Sequence, residues 1–225
     1  MKWMEVKEIL DVDSSEFQQS LQIYSSSFPP VETKPIDRIK NMLRDDENYH
    51  LYVAINKNKV LGFSLLYVFK NLGIALLDYM AVAPEYQGKG IGSIIFWHNI
   101  HELESKISRP IGLFLEVQRE DGVDAIEAIR RKRRLGFYTK LGVRLLEGVN
   151  YLIPPQHGSE PEKTYLMILP LKKVSFFTKE KVVKYINAIY KNVYGYHEND
   201  LIDKISYSLS SRIKISDLQL DNHSI

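Results

Sequence analysis

Residues Leu76 to Ser93 read LLDYMAVAPEYQGKGIGS: an apolar strand, a short turn at Pro84, a glycine-rich segment, and the start of a helix that continues IIFWHNIHEL. Gly88, Gly90 and Gly92 alternate with Lys89 and Ile91. Backbone amides there are open to a ligand without Cβ obstruction, at the point where the unpaired N–H groups of a helix N-terminus face outward. Such a turn suits an anion, above all a phosphate. The spacing argues against two common phosphate binders. A Walker loop ends in Gly-Lys-Ser/Thr, whereas Lys89 stands between glycines with no hydroxyl after it. A dinucleotide fingerprint needs glycine at its first, third and sixth positions, and counting from Gly88 the sixth is Ser93.

The pattern that fits is Gln/Arg-x-x-Gly-x-Gly/Ala, here Gln87, Gly88, Lys89, Gly90, Ile91, Gly92, preceded by a strand ending Ala-Val-x-Pro-Glu. At these residues the chain resembles the GNAT superfamily of acetyl-CoA-dependent N-acyltransferases. The resemblance implies an α/β fold with a central, twisted, mostly antiparallel sheet flanked by helices. It also implies that the segment Gln87, Gly88, Lys89, Gly90, Ile91, Gly92 and Ser93 holds the pyrophosphate of coenzyme A. The backbone of Met80, Ala81 and Val82 would bond the pantetheine arm and polarise the thioester carbonyl. Glycines at an ordinary helix start are the competing reading.

A second stretch supports the first. Ile111 to Val117 (IGLFLEV) is a strand-type run, and from Phe137 the chain reads FYTKLGVRLLEGVNYLIPP. The family's second signature is a helix ending Tyr-x-x-x-Gly-aromatic. Tyr138, Gly142 and Val143 fall on it, with Val143 in place of the aromatic. The resemblance makes Tyr138 the candidate acid that protonates the departing thiolate; any other of the fourteen tyrosines is read as packing or surface. The family commonly carries Asn seven residues before this tyrosine, and here Arg131 stands in the run Arg130-Arg131-Lys132-Arg133-Arg134. These side chains either reach phosphate oxygens of the cofactor or form a solvated helix face. One short basic run is no extended footprint for nucleic acid.

A protonated amine must lose a proton before its lone pair attacks a thioester, so a base is useful. Asp78 is the first candidate, because several family members carry a proton acceptor there. In a regular strand it would share a face with Val82. Its competing role is a structural ion-pair or hydrogen-bond acceptor, since a carboxylate in an apolar strand needs partners. Glu116 is the second candidate. His98 and His101, three apart beside Glu102, lack the order and the cysteine support of a zinc site, and no metal is expected. His157 is a candidate acceptor contact.

The composition is that of an ordinary enzyme: 225 residues, 44% hydrophobic, and a net charge of +2 from 30 basic and 28 acidic residues, which names no partner. The absence of cysteine excludes a disulfide framework, a thiolate metal site and a cysteinyl-acyl intermediate. No signal-type or membrane-length apolar run is present, so the cytoplasm is the expected location and no membrane is an expected partner.

Along the chain we expect a strand at Met4 to Leu10 and a helix opened by Ser14 or Ser15 and stopped by Pro29 and Pro30. A short helix at Ile36 to Leu43 follows, then strands at Leu51 to Ile55 and Val60 to Phe69. After the second signature, Arg144 to Leu152 and Thr164 to Leu169 read as a final strand pair. The 154–161 connection and the SSFPPVETKP loop at 26–35 are candidates for substrate selection. Residues 1–172 are read as the acetyltransferase domain and 173–225 as a C-terminal helical extension. Its helices, one capped by Thr178 and one around Leu201 to Leu209, pack on the domain or on a partner subunit, which leaves a homodimer open. Residues 216–225 are read as a polar tail. The expected activity is direct transfer of acetyl from acetyl-CoA to a primary amine in a ternary complex, with a small-molecule amine preferred to a protein. The alternative is a catalytically silent acyl-CoA-binding regulatory or interaction module.

Overall fold

A computed structural model describes residues 4–155 and 160–218. The chain forms two units, one built from residues up to Pro110 and the other from Ile111 onward.

The first unit contains β1 (Glu5–Glu8), α1 (Ser15–Ser27), α2 (Ile36–Asp45), β2 (Tyr49–Asn56), β3 (Lys59–Phe69), β4 (Ile74–Val82) and α3 (Ile91–Lys106). Ser14 caps α1 by accepting from the Phe17 amide at 3.2 Å, and Pro35 precedes α2, as their sequences predict. Strands β1 to β4 pair antiparallel in chain order. The β2–β3 hairpin closes over Lys57 and Asn58, with Lys57 at φ 54°. Residues from Leu51 to Ala54 on β2 and from Val60 to Phe69 on β3 are buried without alternation, because helices cover both faces. Phe17 and Tyr24 of α1 are buried on one side, and Ile91 and Ile95 of α3 pack with Leu61, Met80 and Val82 on the other. Asn99 of α3 accepts a 3.0 Å bond from the buried Ser64 hydroxyl, which fixes the helix on the sheet.

The second unit contains β5 (Gly112–Gln118), α4 (Ala125–Lys140), β6 (Arg144–Leu146), β7 (Tyr151–Ile153), β8 (Glu162–Pro170), β9 (Phe176–Thr178), α5 (Lys179–Ile189), α6 (Asp200–Ser208) and β10 (Arg212–Ser216). Strand β8 pairs antiparallel with β5, β6 and β7; β10 pairs with β6 and β9. The strand expected over Arg144 to Leu152 is two short strands, because a turn with Gly148 at φ 71° interrupts it. Thr178 caps α5 as predicted, but two strands accompany the C-terminal helices. Tyr185 of α5 packs edge-on against Phe114 of β5 and Phe177 of β9, with ring centroids 5.2 and 5.6 Å apart. Helix α5 therefore buries its apolar face on this unit's own sheet. His157 and the end of the polar tail lie outside the described residues. Among the described residues no helix is long and apolar enough to cross a membrane.

Candidate active site

The glycine segment forms a turn whose backbone is set by its two left-handed glycines. A 3₁₀ turn at Pro84–Tyr86 leads from β4 into Gly88 at φ 73° and Gly90 at φ 79°. Gly90 is the N-cap of α3 and offers no capping side chain, so the first amides of the helix, from Ile91 through Ser93, keep their donors for an outside acceptor. Added Cβ atoms at Gly88 and Gly90 would meet nothing within 4 Å, so the space over both residues is open. That combination fits a pyrophosphate cradle. The flanking side chains brace the turn: Gln87 Nε2 donates to the Val82 carbonyl at 3.1 Å, and Lys89 Nζ to the Glu85 carbonyl at 2.9 Å. Lys59 reaches Glu85 at 3.3 Å and, like Lys89, lies 5.0 Å from the Tyr86 ring centroid. Gln87 and Lys89 thus shape the loop through their side chains.

On β4 the strand is not regular. Leu77 pairs with Leu66 and Tyr79 with Leu65, leaving Asp78 as the extra residue of a β-bulge. Asp78 therefore does not share the face of Met80 and Val82, which point to α3. Its carboxylate lies with the Tyr79 ring on the other side. There Asp78 Oδ1 accepts from Lys34 Nζ and Oδ2 from the Tyr49 hydroxyl, both at 2.6 Å. The Lys34 and Asp78 side chains are 0% and 1% exposed. Burial, then the Asp78 charge, pushes the Tyr49 and Tyr79 phenols well above their ordinary range, so both remain donors. Two further hydroxyls hold the backbone that carries Lys34: its amide donates to Tyr24 Oη at 2.7 Å, and Tyr79 Oη donates to the Glu32 carbonyl at 2.8 Å. The loop read as a substrate selector is thus anchored at its C-terminal end by a buried ion pair and two phenols.

In the second unit, Tyr138 lies on the last turn of α4. Gly142 at φ 89° ends that helix, and the Val143 amide returns to the Tyr138 carbonyl at 3.1 Å, which gives the glycine of the signature a physical role. Tyr138 is 8% exposed, and burial pushes its phenol up to about 12, with Arg134 opposing. It holds its proton throughout the neutral range. Glu116 on β5 is partly exposed; Tyr151 donates to its Oε1, and Tyr194 donates to its Oε2 at 2.5 Å. The basic run is divided in its contacts. Arg131 bonds Glu127 at 3.1 Å and the Arg119 carbonyl at 2.9 Å, and Arg134 donates to Gln118, whereas Arg130 and Arg133 are exposed.

Within each unit the structure gathers partners that the sequence did not reveal: Lys34 and Tyr49 around Asp78, Tyr151 and Tyr194 around Glu116. The one available signal was chemical, since a carboxylate in an apolar strand requires donors. Nothing in the local sequence says which donors.

Residues 17–142, more than half of the chain, match the acetyltransferase (GNAT) family. No curated protein sequence matches. Among solved structures, a GNAT-family protein from Bacteroides thetaiotaomicron is 21% identical, with a TM-score of 0.67 over 86% of this chain and 99% of that one. The ribosomal-protein-S18-alanine N-acetyltransferase from Escherichia coli is 23% identical, with a TM-score of 0.51 over 76% and 96%. A GNAT family acetyltransferase from Elizabethkingia anophelis with acetyl-CoA bound is 17% identical, with a TM-score of 0.52 over 76% and 100%. At such identities the likeness is one of fold, and it agrees with the antiparallel strands and flanking helices described above. This chain belongs to the GNAT acetyltransferase family.

Proposed function

We propose that the protein transfers an acetyl group from acetyl-CoA to a primary amine, preferably of a small molecule, by direct attack in a ternary complex. The observation that carries the reading is the uncapped start of α3 behind two left-handed glycines with open space above them. Gly88 to Ser93 would hold the pyrophosphate through main-chain amides, and Met80 to Val82 would offer main-chain groups to the pantetheine arm. Acetyl-CoA, when bound, supplies the acyl group as an activated thioester.

The remaining chemistry is proton handling. As the amine nitrogen bonds to the acyl carbon and the carbon–sulfur bond breaks, one proton must leave nitrogen and one must reach sulfur. Tyr138 is suited to give the proton to sulfur, because its buried phenol is protonated at working pH. For the proton on nitrogen we favour Glu116 over Asp78. The Asp78 side chain is closed off and matched by the Lys34 ammonium, whereas Glu116 accepts from the neutral phenols of Tyr151 and Tyr194. Asp78 then serves to anchor the loop that carries Lys34.

The test is thermal unfolding with acetyl-CoA, CoA, ATP and NAD in turn. Ligand at about a hundred times its dissociation constant adds roughly 2.7 kcal/mol, a rise on the order of 5 to 11 °C for a chain of this size. Stabilisation by the two CoA species alone, with thiol release when amines are added, is the expected result. No stabilisation by either would remove the reading. CoA binding without any turnover would favour a silent acyl-CoA-binding module.

A further inference from the structure

The family match ends at residue 142, yet both phenols that hold Glu116 lie beyond it. Tyr151 comes from β7. Tyr194 comes from a π-helical turn, Tyr190–Tyr194, that extends α5 and is closed by Gly195 at φ 62°, whose amide returns to the Tyr190 carbonyl. On a continuing α-helix the buried series Val182, Tyr185, Ile186, Ile189 would be followed by Tyr190 and Val193, with Tyr194 at the margin of the stripe. With the wider turn Tyr194 is buried as well, at 9% exposure beside Tyr190 at 0%, and with Tyr151 three rings meet. Tyr190 lies 5.8 Å from the Tyr151 ring and 6.4 Å from the Tyr194 ring, and its hydroxyl donates to the Leu152 carbonyl. Burial and the Glu116 charge push the Tyr190 phenol up, so this anchor keeps its donor. A π turn is rare beside the α form and is found frequently at functional sites.

We propose that Tyr194, delivered by the C-terminal segment, is a positioning residue for Glu116: it fixes Oε2 while Tyr151 fixes Oε1, so that the carboxylate faces the acceptor in one orientation. The inference rests on the acyltransferase reading, in which Glu116 takes the amine proton. It gives the C-terminal segment a part in the reaction that no signature in residues 17–142 carries. Tyr190 in turn holds both phenols through ring contacts. Orientation of this kind matters because misplacing a reacting group by about 1 Å can lower a rate by about a hundredfold.

Tyr194→Phe in the full chain deletes the donor and keeps the ring. Two readouts are taken. The first is the side-chain carboxyl resonance of Glu116 in protein labelled with 13C-glutamate, identified by its loss in Glu116→Gln. The second is thiol release from acetyl-CoA with spermidine, lysine, an alanyl peptide and water alone as nucleophiles. We expect the resonance to move and kcat to fall about tenfold, as for a lost hydrogen bond to a charged group. KM for acetyl-CoA should be unchanged, and the Phe substitution should have no further effect in the Glu116→Gln background. An unmoved resonance, or the same rate loss with Glu116 already replaced, would overturn the proposal. Absence of acetyl-CoA binding in the wild-type protein would instead sink the acyltransferase reading, and the resonance would still report on the Tyr194–Glu116 bond.

Discussion

Replacing Lys34 by Met should destabilise the first unit more than any surface change, and the magnitude follows from the pair's surroundings. Lys34 Nζ lies 2.6 Å from Asp78 Oδ1 and 4.8 Å from the Tyr79 ring centroid, and both charged side chains are closed to solvent. Removing the ammonium leaves the carboxylate with the Tyr49 hydroxyl as its remaining named donor, in a place that water does not reach. Breaking a buried pair from one side costs about 3–5 kcal/mol, and for a chain of this length that is a fall in Tm of roughly 6 to 20 °C. Asp78→Asn should cost a comparable amount, because it removes the negative charge that faces the buried ammonium. The double variant carries neither charge and keeps an acceptor for Tyr49. Its loss should be smaller than the sum of the two single losses by about 2 kcal/mol or more. Chemical denaturation of the four proteins, with urea midpoints and slopes, gives the cycle. Single losses under about 1 kcal/mol would show the pair to be solvated, and strictly additive losses would show that the two groups do not interact. Either result would refute the assignment of Asp78 as the anchor of the 30–35 loop.

Three further outcomes are expected. Gly90→Val places a β-branched side chain at φ 79° and in the open space over the turn; it should abolish stabilisation by acetyl-CoA at a strain cost of about 1–2 kcal/mol, and an intact ligand response in the folded variant would contradict the cradle. Tyr138→Phe should lower turnover by roughly a hundredfold while the acetyl-CoA-dependent rise in Tm persists, and unchanged turnover would remove Tyr138 as the acid. Glu8 is held below its ordinary 4.5, chiefly by His50 Nδ1 at 2.6 Å from Oε1, against the opposing effect of its own burial. A depressed carboxyl stabilises the fold above pH 4.5 and loses that contribution as pH falls toward its folded value. Glu8→Gln should therefore flatten the acid side of the stability curve, and an unchanged acid midpoint would show that this pair contributes nothing.

Much of the fold is legible without coordinates because it is written in local terms. Ser14, Asp124 and Thr178 open helices through side-chain acceptors one turn ahead, and the structure has all three caps. Gly88 and Gly90 mark a backbone that only glycine adopts at low cost, and Gly142 marks the end of the tyrosine-bearing helix. Each of these signals lies within a few residues of what it controls. The strand break at Gly148 is equally local, yet the apolar run on both sides of it reads as continuous. Strands β9 and β10 are three and five residues long, too short for periodicity to register, and they exist through their pairing with each other and with β6.

The sequence by itself determined the family, the glycine turn before α3, the tyrosine at the end of α4 and the two carboxylates worth watching, since each follows from residue type at a fixed spacing along one segment. Tertiary structure alone decided which side chains those carboxylates meet. The bulge that turns Asp78 away from Met80 and Val82 is a property of register against β3, and the ammonium that meets Asp78 lies 44 residues away in the chain. The hydroxyl on Glu116 Oε2 comes from 78 residues away, on a turn wound one residue wider than its helix. Burial makes such partners obligatory, because an unsatisfied charge in the interior is too costly to persist. Which residue satisfies the requirement is set by where the folded backbone brings a donor within about 3 Å, and that distance has no expression in the linear chain.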